Sequence, residues 1–194
     1  MAMGVSAIVF QIGAILFLRA LRLTPWQVTA GGIMSGLFAV SWASITVVPD
    51  LLAAGLLLIG VSLLLGERHP EKLSQFACAA LLFAGASLAK AVMMPTAVGI
   101  TILLYFLRWT FGSLDWRKSL QGAAIIAGLI FTLLAPWFVT LSIHYGKPVL
   151  STSAAINHAI LRKPEGARNH VFERTYHKPE KGRITAWEDP SREA

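Results

Sequence analysis

Two charged residues, Asp50 and Lys90, have the types and the setting to bind a phosphate group at a membrane surface. Asp50 follows Pro49 between two long uncharged runs, and Lys90 ends another apolar run shortly before Pro95. An ammonium group can contact phosphate oxygens, while a carboxylate can hold a divalent cation or accept a hydrogen bond from a hydroxyl. This acid and this base could therefore bind a phosphate-bearing amphiphile if both lie at the same membrane face.

Each of the two residues also has an ordinary structural role that the sequence leaves open. Asp50 could simply cap the helix that follows it, because its carboxylate would face the positive end of the helix dipole. Pro49 fits the first position of that helix, where its missing N–H costs nothing. Lys90 could extend its ammonium to water from a membrane interface, as long basic side chains commonly do.

The composition indicates an integral membrane protein. Of the 194 residues, 55% are hydrophobic and 14% are charged, whereas soluble domains carry about a quarter charged residues. Residues 1–141 hold eight Lys/Arg and four Asp/Glu, and residues 142–194 hold nine and six. This contrast predicts a transmembrane helical domain over residues 1–143. Residues 144–194 are predicted to form an irregular, polar, extracytoplasmic loop that cannot bury a core of its own.

Six apolar runs predict an all-α, polytopic transmembrane helix bundle with about six membrane segments. The runs cover residues 2–18, 27–47, 51–66, 74–89, 95–107 and 119–143. The fourth and fifth runs are short, so the two helices could tilt steeply or form one broken pair. Gly32 and Gly36 form a small-xxx-small pattern, which favours close packing between helices.

The distribution of basic residues predicts the orientation in an inner or plasma membrane. If each run crosses once, three polar loops with two, two and three Lys/Arg share one side: 19–26, 66–73 and 108–118. The positive-inside tendency makes that side cytoplasmic. Asp50, Lys90 and the tail from His144 onward would then share the outer face, which is the periplasm, the cell exterior or a lumen.

Several other function classes find little support in the sequence. The net charge of +7 is not gathered on a basic helix or an aromatic platform, which argues against nucleic acid, and it fits attraction to anionic membrane lipids. Cys78 is alone, so no disulfide framework exists. Four histidines are scattered through the tail and are interpreted as polar loop residues, since the spacing of the last two matches no standard zinc arrangement: His144, His158, His170 and His177. The Trp187-Glu188-Asp189 segment has a composition found both at sugar sites and in ordinary turns.

The order of these features resembles the GT-C superfamily of membrane glycosyltransferases, in particular the protein O-mannosyltransferase and aminoarabinose transferase type. Three segments carry the resemblance: the Pro49-Asp50 corner, Ala86-Ser87-Leu88-Ala89-Lys90 ahead of a Pro-containing helix, and Ala135-Pro136-Trp137-Phe138 with the polar exit that follows it. The resemblance covers most of residues 1–160.

The resemblance implies transfer of a sugar from a polyprenyl-phosphate donor to an acceptor on the outer face. Asp50 would match the acidic residue near the donor phosphate or a divalent metal, and Lys90 the basic residue of the carrier-phosphate cavity. Members of the superfamily carry their usual base in an outer loop after the first helix, whereas residues 1–18 contain no Asp or Glu. We therefore expect an internal portion of a longer enzyme, with the catalytic base outside these residues.

Two alternatives from other function classes stay open at this point. A transporter would place ionisable residues near the bilayer midplane and would show repeated halves. A non-catalytic membrane scaffold, with a tail that binds a partner, would show no cavity near Asp50 and Lys90.

Overall fold

A computed structural model describes residues 2–45, 49–66, 72–146 and 148–149 of the chain. Within these residues the secondary structure is helical and contains no strand. The six helices are α1 (Ala2–Ala20), α2 (Pro25–Ile45), α3 (Asp50–Leu65), α4 (Leu73–Ala89), α5 (Met93–Thr110) and α6 (Trp116–Tyr145). Each predicted apolar run corresponds to one helix, which confirms the all-α class.

Two of the described helices, α5 and α6, are long and apolar enough to cross a membrane, as judged by length and composition. Helices α3 and α4 are apolar but shorter. The fifth run was predicted to be short, yet α5 has 18 residues because Met93 and Met94 form its first turn and Arg108 to Thr110 its last. These two helices indicate association with a membrane.

The chain divides into two compact units, Met1–Leu134 and Ala135–Ala194. In the first unit, α3 packs against α1 and α4, and α1 also packs against α2. Helix α5 contacts both α3 and α4. The second unit contains the end of α6, which continues through Pro136. Most of the predicted polar tail lies outside the described residues, so the predicted domain boundary after residue 143 stays a prediction.

Helices α1 and α3 approach so closely that their backbones touch at glycines. A Cβ added to Gly55 would lie 2.6 Å from the backbone nitrogen of Phe10, and one added to Gly13 would lie 2.6 Å from the Gly55 carbonyl oxygen. On another face of α3, a Cβ on Gly60 would meet the fully buried Phe83 ring at 2.5 Å. Small residues at these contacts are the usual means by which membrane helices pack.

Helices α1 and α2 are joined by polar groups as well as by close packing. The Gln11 side-chain amide donates a hydrogen bond to the Gly32 carbonyl at 2.7 Å, and the Ser35 hydroxyl donates to the Gln11 side-chain oxygen at 3.0 Å. Gly32 and Gly36 both lie against the Gln11 side chain. The small-xxx-small pattern therefore lies in a helix contact, as predicted.

Candidate functional site

The structure brings Asp50 and Lys90 into direct contact. The Lys90 ammonium donates a hydrogen bond to Asp50 Oδ1, and the two groups form an ion pair between residues forty positions apart. The Lys90 side chain is 44% exposed and the Asp50 side chain 29% exposed. Both charged groups are therefore together and accessible from outside the protein.

Asp50 is positioned by the start of α3. Pro49 is the N-cap residue, one position earlier than predicted, and its carbonyl accepts the first helical hydrogen bond from the Ala53 N–H at 2.9 Å. Asp50 then lies in the first turn, where the positive end of the helix dipole stabilises a carboxylate. Because this carboxylate also accepts a hydrogen bond from Lys90, Asp50 links the start of α3 to the end of α4 in addition to stabilising its own helix.

Lys90 is positioned by the end of α4. It adopts an extended backbone conformation (φ −150°, ψ 113°), and its N–H donates to the Ala86 carbonyl at 2.9 Å. The Lys90 carbonyl accepts a hydrogen bond from the Met93 N–H at 2.8 Å, which leads the chain into α5. Pro95 lies in the first turn of α5, where a backbone N–H has no helical acceptor. The backbone of Lys90 is thus held on both sides.

The pair retains hydrogen-bonding capacity for a ligand. A lysine ammonium has three N–H donors, so Lys90 can contact Asp50 and still donate to phosphate oxygens. Asp50 can accept further hydrogen bonds at its carboxylate, for example from a sugar hydroxyl. In the part of the chain that the structure describes, no three His, Cys, Asp or Glu residues form a metal-binding group. A divalent cation at Asp50 would therefore need most of its oxygen ligands from the substrate and from water.

Other residues singled out from the sequence do not join this pair. Cys78 is a free, exposed thiol within α4. His144 lies in the last turn of α6, with its ring centroid 4.8 Å from that of Tyr145. The remaining candidates lie outside the described residues: His158, His170, His177 and Trp187-Glu188-Asp189.

Two cavities are prominent among the described residues, and neither is lined by Asp50 or Lys90. One is a groove of about 610 Å³ between α1 and α2, with Gln11, Arg19 and Thr29 as its main polar residues. The other, of about 450 Å³, is an apolar hollow in the second unit beside Phe138. The scaffold alternative, which predicts no cavity at the ion pair, stays open.

A second polar group was missed at the sequence level. Arg108 was counted only as a loop charge, yet its guanidinium donates to the Leu64 carbonyl near the end of α3 and its Cζ atom lies 5.5 Å from the centroid of the Tyr105 ring. The spacing of Tyr105 and Arg108 could have indicated the contact, because residues three apart lie on the same face of a helix.

No known protein family, no curated protein and no solved structure matches this chain. The glycosyltransferase hypothesis therefore has no support from a relative and depends on the residues themselves.

Proposed function

We propose that this chain is the donor-binding part of a GT-C-type membrane glycosyltransferase, with six membrane segments and the outer ends of α3 and α4 on the non-cytoplasmic side. The donor would be a sugar linked to polyprenyl phosphate. The contact between Asp50 and Lys90 is the single observation that supports the proposal most, because the proposed site needs the ammonium and the carboxylate within reach of one phosphosugar.

The proposed reaction is an inverting displacement at the anomeric carbon of the sugar. The acceptor hydroxyl oxygen attacks this carbon, the bond to the carrier phosphate breaks with its electron pair on the phosphate oxygen, and the hydroxyl proton passes to a base. Lys90 stabilises the negative charge that develops on the leaving phosphate. Asp50 orients the Lys90 ammonium and accepts a hydrogen bond from the sugar or holds a divalent cation. No residue of this chain is assigned as that base.

A non-catalytic scaffold is the second candidate, and the same ion pair gives it a specific basis. Because the Asp50 carboxylate already neutralises Lys90, the pair could serve only to join the ends of α3 and α4. The two candidates differ in whether a phosphate-bearing lipid binds at the pair.

Lipid binding by the full chain in detergent micelles distinguishes them. Native mass spectrometry would measure retention of undecaprenyl phosphate, with uncharged undecaprenol as the matched lipid that lacks the phosphate. We expect the chain to retain the phosphate form and to lose affinity by about tenfold or more in Lys90→Gln, since a hydrogen bond to a charged group contributes about 1.5–3 kcal/mol. Lys72→Gln is the control, because Lys72 precedes the opposite end of the same helix.

A charge exchange adds a second control. The double variant Asp50→Lys/Lys90→Asp keeps an ion pair but moves the ammonium to α3. If the pair binds phosphate, this variant should fold and yet lose the preference for undecaprenyl phosphate over undecaprenol. Equal retention of both lipids by the unmodified chain would reject the donor-binding role and leave the scaffold.

A further inference from the structure

Three polar side chains of α5 and α6 carry buried atoms without a partner in the described residues, and one of them, Arg108, bonds to the end of α3 opposite Asp50. Tyr105 is 4% exposed and Ser119 is 6% exposed, and the hydroxyl of each has no hydrogen-bond partner in the described part of the chain. Arg108 Nη1 is likewise buried and unpartnered there. All three groups can donate hydrogen bonds. We refer to Tyr105, Arg108 and Ser119 as the donor cluster.

Contacts in the structure bring the members of the donor cluster together. The Arg108 guanidinium lies 5.5 Å from the centroid of the Tyr105 ring. Tyr105 in turn lies against α6, since a Cβ on Gly122 would be 2.9 Å from the Tyr105 hydroxyl oxygen. Ser119 is three residues before Gly122 and therefore on the same face of α6. Tyr105 thus contacts Arg108 on its own helix and packs against the face of α6 that carries Ser119.

The chemistry of the cluster calls for an acceptor. Burying an unpaired donor is costly, and buried polar groups nearly always find a partner in protein, water or ligand. Arg108 Nη2 already donates to the Leu64 carbonyl, which leaves Nη1 as the donor of a fixed, positively charged group. Ser119 is the fourth residue of α6, close to the positive end of that helix dipole. One guanidinium and two hydroxyls near a helix N-terminus fit an anion.

The surroundings indicate which anion. Residues 108–118 carry Arg108, Arg117 and Lys118 against a single acid, Asp115. Trp109 and Trp116 are exposed on either side of this turn, where aromatic residues mark the depth of lipid headgroups. The positive-inside tendency assigns this end to the cytoplasmic leaflet, which is rich in anionic lipids.

We propose that the donor cluster is a binding site for a phosphate group, supplied by an anionic lipid headgroup or by free phosphate. This site is separate from the proposed site for the sugar donor at Asp50 and Lys90. Asp50 and Leu64, which contacts Arg108, lie at opposite ends of α3, about 20 Å apart at a rise of 1.5 Å per residue. Variants of the ion pair should therefore leave it unchanged.

The test uses the full chain in detergent micelles, with native mass spectrometry to follow retention of added phosphatidylglycerol. Tyr105→Phe and Ser119→Ala each remove one hydroxyl and keep the packing. Each should weaken retention by about tenfold or more, as expected for a hydrogen bond to a charged group. Thr110→Val is the matched control, since it also removes one hydroxyl near the end of α5, but that hydroxyl is exposed and already donates to the Phe106 carbonyl. It should retain the lipid like the unmodified chain.

Inorganic phosphate distinguishes the two sources. If it displaces phosphatidylglycerol at millimolar concentration, free phosphate suffices; if it does not, the site requires the lipid. Both outcomes support a phosphate site.

Three outcomes would overturn the proposal. The first is equal retention of phosphatidylglycerol by the unmodified chain, Tyr105→Phe and Ser119→Ala. The second is a higher unfolding temperature of both variants with or without the lipid, which would show that the hydroxyls are simply unpaired. The third is an equal loss of retained phosphatidylglycerol in Thr110→Val, which would show that the loss is not specific to the buried hydroxyls.

Discussion

Lys90, which ends α4, forms an ion pair with Asp50, which begins α3. The pair places a negative charge at the positive end of one helix dipole and a positive charge at the negative end of the other. Each charge is therefore favourable for its own helix as well as for its partner. This arrangement holds the ends of two packed helices together and presents both charged groups at the surface.

We predict that the ion pair contributes little to the stability of the fold. Because both side chains are partly exposed, Asp50→Asn should lower the free energy of unfolding by about 0.2–1 kcal/mol. A double-mutant cycle with Lys90→Gln, measured by denaturant unfolding in micelles, would isolate the coupling. A coupling above about 2 kcal/mol would instead assign the pair a mainly structural role.

We predict that Gly55 cannot be replaced without separating α1 from α3. A Cβ at this position would lie 2.6 Å from the Phe10 nitrogen and 2.7 Å from its Cα atom. Gly55→Ala should therefore destabilise the chain by about 1–3 kcal/mol, as overpacking usually does. Gly99→Ala is the control, because nothing lies within 4 Å of its Cβ position; it should be neutral or should stabilise α5 by up to about 1 kcal/mol. Equal unfolding midpoints for both variants would contradict the close contact between Gly55 and the backbone of Phe10.

We predict that Gln11 joins α1 to α2 through its two hydrogen bonds. Gln11→Leu keeps most of the side-chain volume and removes both bonds, so it should cost about 0.6 to 2 kcal/mol, the range for polar contacts between membrane helices. Ser35→Ala removes one of the bonds and should cost less. Unfolding of the two variants in the same micelles would test this order. A larger loss of unfolding free energy in Ser35→Ala than in Gln11→Leu would contradict it.

We predict that the ion pair and the turn between α5 and α6 lie on opposite sides of the membrane. In a Cys78→Ala background, Val92→Cys reports on the first site and Ser113→Cys on the second, since both positions are exposed. A membrane-impermeant maleimide added to intact cells should label Val92→Cys, and it should label Ser113→Cys only after permeabilisation. The reverse labelling pattern would invert the predicted orientation. Labelling of both variants in intact cells would contradict the prediction that the two sites lie on opposite sides of the membrane.

The sequence by itself determined the class of fold and the approximate position of each helix. An uncharged run must satisfy its backbone hydrogen bonds internally when it is removed from water, so a run of this length becomes a helix. Charged residues interrupt these runs, which is why Asp50 and Lys90 could be assigned to helix ends. The pattern of small residues in α2 also indicated a close contact.

Only the tertiary structure decided which helix faces meet. Helices that are apolar on all sides carry no polar stripe to distinguish a buried face from an exposed one. The contact of Gly13 with Gly55, and that of Arg108 with the Leu64 carbonyl, therefore could not be derived from spacing. For the same reason, the sequence predicts Asp50 and Lys90 on the same side of a membrane, but their direct contact depends on how α3 packs against α4.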